Sequence, residues 1–182
     1  IRNLGGFEQP QKILPGLQAV VGDKSDEIQI FLGNKIAPGF FAWELPFKTG
    51  KLVGLASDEG NVFFQLYELL KHLNYEDKII SFLSGTIPLG VMKESVKDNI
   101  MLVGDAACQV KPLSGGGIYP GLKSAEHCAD VAIGALEEEN TSKERLQEYH
   151  ERWYKDVGKE ISKGMWIRRS YKSLSEEDLD YL

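Results

Sequence analysis

The sequence predicts an α+β fold in which a mostly antiparallel sheet precedes a short strand, a glycine-rich turn and several helices. Three observations support this class. Short apolar runs separated by polar turns fill residues 13–57, helical periodicity begins at Asn61, and the glycines Gly115, Gly116 and Gly117 precede a long helix. Short strands with tight turns are typical of antiparallel sheets, and apolar residues repeated every three or four positions indicate amphipathic helices.

Four stretches in the first third of the chain have the pattern of strands. They are residues 17–21, 27–32, 41–46 and 51–57. The second alternates, with Ile28, Ile30 and Leu32 on one face and Glu27, Gln29 and Phe31 on the other, which is the pattern of a half-buried strand. Gly54 lies inside the fourth, where it indicates a bulge or a close backbone approach.

The third of these strands is rich in large apolar side chains. Phe41, Trp43 and Leu45 alternate onto one face, and Pro46, which has no N–H for a ladder, ends the strand. Such a row packs into a core, or it forms an apolar wall for a hydrophobic ligand. The residues alone leave both interpretations open.

Helices and a further strand make up most of the remainder. Residues 61–74 form a helix, residues 77–90 are extended, and a new helix opens with Thr141 and Glu144 at the spacing of a capping box. An apolar stripe then continues for about five turns on the 3.6-residue period. Its members are Leu146, Tyr149, Trp153, Val157 and Ile161.

The glycine-rich turn lies at the centre of the segment that carries most of the chemistry. A buried strand is predicted at residues 100–103, followed by Gly104 and Asp105, and the helix after the glycines has one apolar face. We expect that face to be buried; it contains Leu122, Ala125, Ala129, Ala132, Ile133 and Leu136. A helix N-terminus behind close-packed glycines suits an anionic ligand, although the glycines also fit a purely structural turn.

The composition excludes several classes of partner and cofactor. The net charge of −6 argues against a nucleic-acid partner, and no segment has the apolar length of a membrane span. The two cysteines, Cys108 and Cys128, form no cluster with histidine, so we expect no metal site.

Two motifs carry a resemblance to a known family. Gly104-Asp105-Ala106-Ala107, then Pro112 and the glycine turn, resemble the FAD-contacting motif of flavoproteins built like para-hydroxybenzoate hydroxylase. Within that superfamily, residues 111–121 and 41–46 are similar to those of the geranylgeranyl reductases, especially the archaeal ones. Two positions depart from the reductase pattern YxWxFP, where this chain has Phe41 and Leu45.

The resemblance implies a cofactor and its contacts. FAD, reduced by NAD(P)H or another electron donor, would be contacted at its ribityl and flavin end. The implied cofactor-binding residues are Gly104, Asp105, Pro112, Gly115, Gly116, Gly117 and Ile118. The protein would then transfer hydride from reduced flavin to an alkene, with a proton added at the neighbouring carbon. No catalytic residue is assigned, since a buried structural role is the default for Cys108.

The same resemblance implies a substrate and partners. An isoprenoid lipid, with geranylgeranyl chains, would bind along Phe41, Trp43, Leu45 and Pro46. It further implies a cytoplasmic protein with peripheral membrane contact and an electron-donor protein as a possible partner. Alternatives are another flavoprotein of the superfamily, such as an aromatic hydroxylase or halogenase, or a lipid-binding remnant without catalysis.

No GxGxxG motif for the adenine half of FAD occurs in the sequence. We therefore expect a C-terminal fragment, inactive by itself, of a longer Rossmann-like flavoprotein. Its expected parts are a partial substrate-binding β-rich lobe at residues 1–92, the closing strand, loop and helix of the FAD lobe at 93–140, and a helical segment at 141–182.

Overall fold

The computed structural model describes residues 2–3, 5–24 and 26–179, which form two compact units. The sheet unit comprises Leu14–Ile87 with Ser170–Leu182, and the turn unit comprises Ile1–Ile13 with Pro88–Arg169. The predicted α+β class with an antiparallel sheet is confirmed. The finer division into three segments stays a prediction.

A five-stranded sheet dominates the sheet unit, with strand order β2-β3-β4-β1-β5. Pairing is antiparallel between β1 and β4, between β4 and β3, and between β3 and β2. The strands are β1 (Lys12–Val21), β2 (Gln29–Phe31), β3 (Ala42–Phe47), β4 (Gly50–Ala56) and β5 (Ile79–Leu89). β3 therefore continues one residue beyond Pro46, which pairs with Lys51 of β4.

Helix α1 (Val62–His72) covers one face of this sheet. Asn61 caps it, because its side-chain oxygen accepts hydrogen bonds from the N–H groups of Phe63 and Phe64. The core between helix and sheet contains Ala19, Val21, Ala37, Ala42, Val53, Leu55, Leu66, Leu69 and Leu70.

The strand predicted at residues 27–32 is the short β2, and it faces the core through Phe31. Ile28, Ile30 and Leu32 are exposed, whereas Phe31 packs against the core. Alternation predicts which residues share a face, but here the single aromatic side chain rather than the three aliphatic ones faces the core of the sheet unit.

The turn unit contains a small two-stranded sheet and most of the helices. β6 (Val96–Lys97) pairs with β7 (Ile100–Met101), so the predicted strand at 100–103 is only two residues long. The helices are α2 (Ile118–Glu137), α3 (Lys143–Trp153) and α4 (Lys159–Tyr171), and a π-helical turn, Tyr154–Gly158, joins the last two. A short helix, α5 (Glu176–Leu179), follows in the sheet unit.

The long stripe predicted from Leu146 to Ile161 is confirmed. All five of its members are buried, together with Val96, Val131 and Ala135. The cap lies one residue later than predicted, because the Ser142 side chain, and not that of Thr141, accepts from the Arg145 N–H. Among the described helices, none combines the length and apolar character that crossing a membrane requires.

Candidate functional site

The motif at Gly104 forms a single 3₁₀ turn, Gly104–Ala107. Gly104 has φ +64°, and a Cβ added there would meet no atom within 4 Å. The backbone at this position is therefore open on the side where other residues carry a side chain. Cys108 ends the turn in the left-handed conformation with φ 55°.

A buried hydrogen-bond chain fixes this turn. The Gly104 N–H donates to the side-chain oxygen of Gln109 at 2.6 Å, and the Gln109 amide donates to the Tyr149 hydroxyl at 2.9 Å. That hydroxyl donates in turn to the Leu102 carbonyl at 2.6 Å. Burial raises the pKa of Tyr149, so the phenol keeps its proton. Tyr149 of α3 thus fixes Leu102, two residues before the turn, and through Gln109 also fixes the turn itself.

Arg2 supports the same turn from outside. Its guanidinium donates to the carbonyl of Asp105 at 2.7 Å and to that of Ala106 at 2.6 Å. Sequence reasoning missed Arg2, Gln109 and Tyr149 as supports of the motif. The one local signal in the sequence was Gln109, a polar residue directly after Ala106, Ala107 and Cys108.

The glycine turn closes on itself before α2 begins. The Gly115 N–H donates to the Lys111 carbonyl at 2.9 Å, and the Lys111 N–H donates to the Gly116 carbonyl at 3.1 Å. Gly117 is the N-cap of α2, and no side chain caps it. The first N–H groups of a helix have no partner within the helix, so those of Ile118 and Tyr119 are left for a ligand or solvent.

The two motifs meet at the start of α2. A Cβ placed on Gly117 would lie 2.9 Å from the Asp105 carboxylate oxygen Oδ1, and one on Gly121 would lie 3.6 Å from the Gly104 Cα. The carboxylate therefore lies against the uncapped helix N-terminus, and a side chain at Gly117 would displace it from that position. This arrangement brings Gly104, Asp105 and Gly117 together.

Pro112 joins the glycine turn to α4. It is buried, and its carbonyl accepts a hydrogen bond from Arg168 at 3.2 Å. A Cβ on Gly164 would lie 3.0 Å from the Pro112 ring, so α4 approaches the loop closely at that glycine. Pro112 is thus buried against α4, whereas Gly116 and Ile118 are exposed.

The expected burial of the apolar face of α2 is wrong. Leu122, Ile133 and Leu136 are 64%, 58% and 68% exposed, and the 82% exposed Ile118 continues the row toward the glycine turn. The helix instead buries a narrower face containing Pro120, Ser124, Val131 and Ala135. The periodicity correctly grouped the apolar side chains but did not show which face the rest of the turn unit covers.

Cys108 lies in a small apolar cluster and not at an accessible position. It is 1% exposed and packs with Phe7, Met92, Leu102 and Ala107. Burial raises the pKa of the Cys108 thiol, and the nearby Arg2 guanidinium only partly opposes this. A protonated, buried thiol fits the structural role that the sequence favoured.

Trp43 and Leu45 of β3, and Phe41 directly before it, lie on the sheet face opposite α1. Phe41, Trp43 and Leu45 are half-buried and Pro46 is exposed, so they line a surface and not the core. The indole of Trp43 covers Gly54, where a Cβ would lie 2.8 Å from two ring atoms, and Trp43 Nε1 donates to Gln18 Oε1 at 3.2 Å. The close approach predicted at Gly54 is therefore that of an aromatic ring.

A cavity of about 260 Å³ adjoins this indole. Its lining is mixed, with apolar side chains and backbone of β1 and β5 beside a few polar groups. The lining residues are Gly16, Leu17, Gln18, Trp43, Ala56, Leu83, Ser84, Gly85, Thr86 and Ile87. Of the four proposed substrate-binding residues, Trp43 alone lines it.

The core face of the same strands holds a buried ion pair. Lys51 Nζ lies 2.6 Å from Glu44 Oε1 and donates to the Tyr75 hydroxyl at 2.5 Å. Burial disfavours the charged lysine, but the hydrogen bonds from Lys51 to Glu44 and Tyr75 outweigh it and raise the pKa of Lys51. This pair was missed from sequence, since the alternation of β3 drew attention to its aromatic face.

Comparison with known proteins identifies the relatives of this chain. No family model matches it. It is 31% identical over 159 residues to digeranylgeranylglycerophospholipid reductase 1 of Methanococcoides burtonii, covering 84% of this chain and 39% of that protein. The chain is homologous to the geranylgeranyl reductases. The resemblance stated from the two motifs is therefore confirmed.

Solved structures of other proteins share the fold of this chain. A geranylgeranyl bacteriochlorophyll reductase-like protein from Thermoplasma acidophilum matches 93% of this chain and 46% of its own, with a TM-score of 0.85 at 23% identity. A flavin-dependent halogenase matches 86% of this chain and 32% of its own, with a TM-score of 0.58 at 17% identity. The chain spans about 40% of the length of the curated relatives it matches.

Proposed function

We propose that this protein forms part of an FAD-dependent oxidoreductase that reduces isoprenoid double bonds of membrane lipids, with geranylgeranyl chains as the substrate class. The observation that carries the proposal is the Asp105 carboxylate lying against the uncapped start of α2, beside the open backbone of Gly104. The relatives' names supply the substrate class, and the flavin-dependent halogenase of similar fold supports the choice of cofactor.

The residues of the turn fit a flavin with its ribityl chain. Gly104 offers backbone without a side chain, and Asp105 is an exposed acceptor for hydroxyl groups. The free N–H groups at the start of α2 would stabilise an anion by about 0.3–1 kcal/mol, and more where the site is partly buried. The buried chain through Gln109 and Tyr149 holds these groups in place before any ligand arrives.

When bound, a reduced flavin supplies the hydride for the double bond. The chain's own residues would do the binding and positioning. In the turn unit, Asp105 and the α2 N-terminus would hold the polar cofactor. In the sheet unit, Phe41, Trp43 and Leu45 present half-exposed apolar surface, which suits an uncharged isoprenoid chain that offers no hydrogen-bonding groups.

The greater length of the relatives suggests where the other half of the cofactor site comes from. We infer that a polypeptide segment outside these 182 residues supplies the adenine-binding part and packs on the exposed row of α2. That row contains Ile118, Leu122, Ile133 and Leu136. Such a contiguous apolar surface on a helix is typical of an interface. NAD(P)H or another electron donor would then reduce the flavin.

Flavin content tests the proposal directly. In the full-length protein, Asp105→Ala should lower the ratio of bound flavin to protein at purification, whereas Asp77→Ala, at an exposed position of the sheet unit, should leave it unchanged. Unchanged flavin content in Asp105→Ala would refute the assigned role. Saturation of a geranylgeranyl lipid by the reduced protein, followed by mass spectrometry, tests the reaction; oxygen incorporation in its place would indicate a monooxygenase.

A further inference from the structure

Helix α4 carries a basic surface that the flavin site does not use. Lys159, Lys163 and Trp166 follow one another at intervals of four and three residues, and Arg169 comes three residues later, so they share one face of the helix. All four are exposed, while Ile161 and Arg168 on the opposite side are buried. We refer to these four residues as the α4 face.

The charge of this face contrasts with that of the chain. The protein has a net charge of −6, yet α4 contains Glu160 as its one acidic residue beside four basic ones. Glu160 is 3.8 Å from Lys111 of the glycine turn. Within the part of the chain that the structure describes, no ion pair involves Lys159, Lys163 or Arg169. Their positive charges are therefore directed to solvent.

Trp166 is the exceptional residue of the face. It is 68% exposed, whereas Trp153 is buried and Trp43 is half-buried. A tryptophan has a large apolar ring and a polar N–H, a combination that suits the interface between lipid headgroups and acyl chains. Lysine and arginine side chains around it can extend to the phosphates while their methylene stems cover apolar surface.

An apolar cavity of about 310 Å³ opens beside the α4 face. Lys163 is on its rim, and Leu113 and Ile167, each more than 40% exposed, lie at its wall. The cavity is bounded on the other side by the loop that leads into the glycine turn. Lys111 and Lys163 line this cavity together with the acidic Glu160, so apolar surface lies next to two lysines. A lipid surface has the same layering, with anionic headgroups outside and apolar chains beneath.

We propose that the α4 face binds the surface of an anionic lipid bilayer, with Trp166 inserted at the headgroup level and the three cations on the phosphates. Gly164 and Arg168 of the same helix contact Pro112, so binding would hold the glycine turn close to the bilayer. The proposal rests on the charge and exposure of α4 and does not depend on the flavin reaction. Interfacial binding of this kind combines buried apolar area with attraction to anionic lipid.

Vesicle partitioning of the purified full-length protein tests the proposal. We expect binding to phosphatidylglycerol vesicles, much weaker binding to phosphatidylcholine vesicles, and a loss of binding as salt is raised. Lys159→Gln with Lys163→Gln should lower the partition coefficient about thirtyfold. The reason is that each lysine near an anionic surface strengthens binding by about five- to sixfold. The matched control, Lys48→Gln with Lys71→Gln, removes two exposed lysines from the sheet unit and should change nothing.

Tryptophan fluorescence separates contact by this face from contact elsewhere. Trp166→Phe should keep most of the binding but lose the blue shift of emission on adding vesicles. The proposal would be overturned by equal binding to phosphatidylglycerol and phosphatidylcholine vesicles, or by an equal loss of vesicle binding in both double variants. Binding to duplex DNA without binding to vesicles would also overturn it. Flavin content and lipid reduction are measured separately, so their failure leaves the vesicle result interpretable.

Discussion

Gln109 donates a hydrogen bond to the Tyr149 hydroxyl at 2.9 Å, and both side chains are fully buried. The same amide accepts from the Gly104 N–H, so one side chain connects the candidate flavin turn to α3. Buried polar networks of this kind contribute most when every member is satisfied. The position of Gly104 and Asp105 therefore depends on a residue that contacts no ligand.

Gln109→Leu should destabilise the protein, because it leaves the Gly104 N–H without its acceptor and removes the donor to the Tyr149 hydroxyl, which keeps only its own hydrogen bond to the Leu102 carbonyl. The expected loss of unfolding free energy is about 1–3 kcal/mol, measured by urea denaturation. Gln29→Leu, at an exposed position of β2, serves as the control and should change stability by less than about 0.5 kcal/mol. Equal effects of the two substitutions would contradict the role assigned to Gln109.

Gly117→Ala should lower flavin content with little loss of stability. Its Cβ would lie 2.9 Å from Asp105 Oδ1, and a carboxylate at the end of a side chain can move aside at small energetic cost. The matched variant is Gly85→Ala in β5, which is outside the candidate cofactor site and whose Cβ would meet nothing within 4 Å. Flavin absorbance per protein and the melting temperature should be compared; similar flavin loss in both variants would argue against a specific Asp105 position.

Gly54→Ala should be strongly destabilising in the sheet unit. The new methyl group would overlap the Gln18 side chain and the Trp43 indole, and overpacking of this kind costs about 1–3 kcal/mol. Gly85→Ala in β5 is the control, because its Cβ would meet nothing within 4 Å. Thermal melts of the two variants give the comparison. If both variants melt alike, the indole does not rest on Gly54 in solution.

Lys51→Met should lower the free energy of unfolding by about 3–5 kcal/mol, because it leaves the Glu44 carboxylate buried without its cation. Replacing both residues, with Glu44→Leu and Lys51→Met, should recover most of that loss, since an apolar pair needs no charge partner. Urea denaturation of the single and double variants measures the difference. A double variant no more stable than the single one would show that the ion pair is not the source of the cost.

The comparison of α2 with the segment α3–α4 shows what the sequence can and cannot predict. Both have clear helical periodicity, and the stripe from Leu146 to Ile161 is buried as predicted, whereas Leu122 and Leu136 of α2 are exposed. Periodicity groups side chains on a face, but the partner surface decides whether that face is covered. The pattern of α2 contains no information about that partner surface, so its exposure could not be predicted.

In the candidate site, too, local sequence patterns predicted some features, whereas others depend on residues distant in sequence. The glycines and Asp105 were found from local spacing, because a turn before a helix is encoded by adjacent residues. The supports of the turn are distant in sequence: Tyr149 is 40 residues from Gln109, and Arg2 is 103 residues from Asp105. No local pattern specifies such pairs, so they emerge only once the chain is folded.

His150 should make stability depend on pH below about 6.5. Its Nδ1 contacts the Ser95 hydroxyl at 2.9 Å, and burial lowers the pKa of His150 below its usual 6.5, although Glu151, Glu94 and Glu8 partly oppose this. As the pH falls below 6.5, the unfolded chain takes up the proton before the folded one. The free energy of unfolding therefore decreases with falling pH until the lowered pKa of His150 in the folded state is passed.

Above pH 6.5 both states are neutral at this histidine, and its full contribution is present. The measurement is the unfolding free energy at about pH 7.5 and about pH 5.5, for the wild type and for His150→Gln. The variant should lose less stability on acidification, because it cannot titrate. Gln29→Leu, at an exposed position of β2, carries no titratable group; it is the control and should retain the wild-type slope. A His150→Gln slope equal to that of the wild type would show that the ring takes up its proton equally in both states.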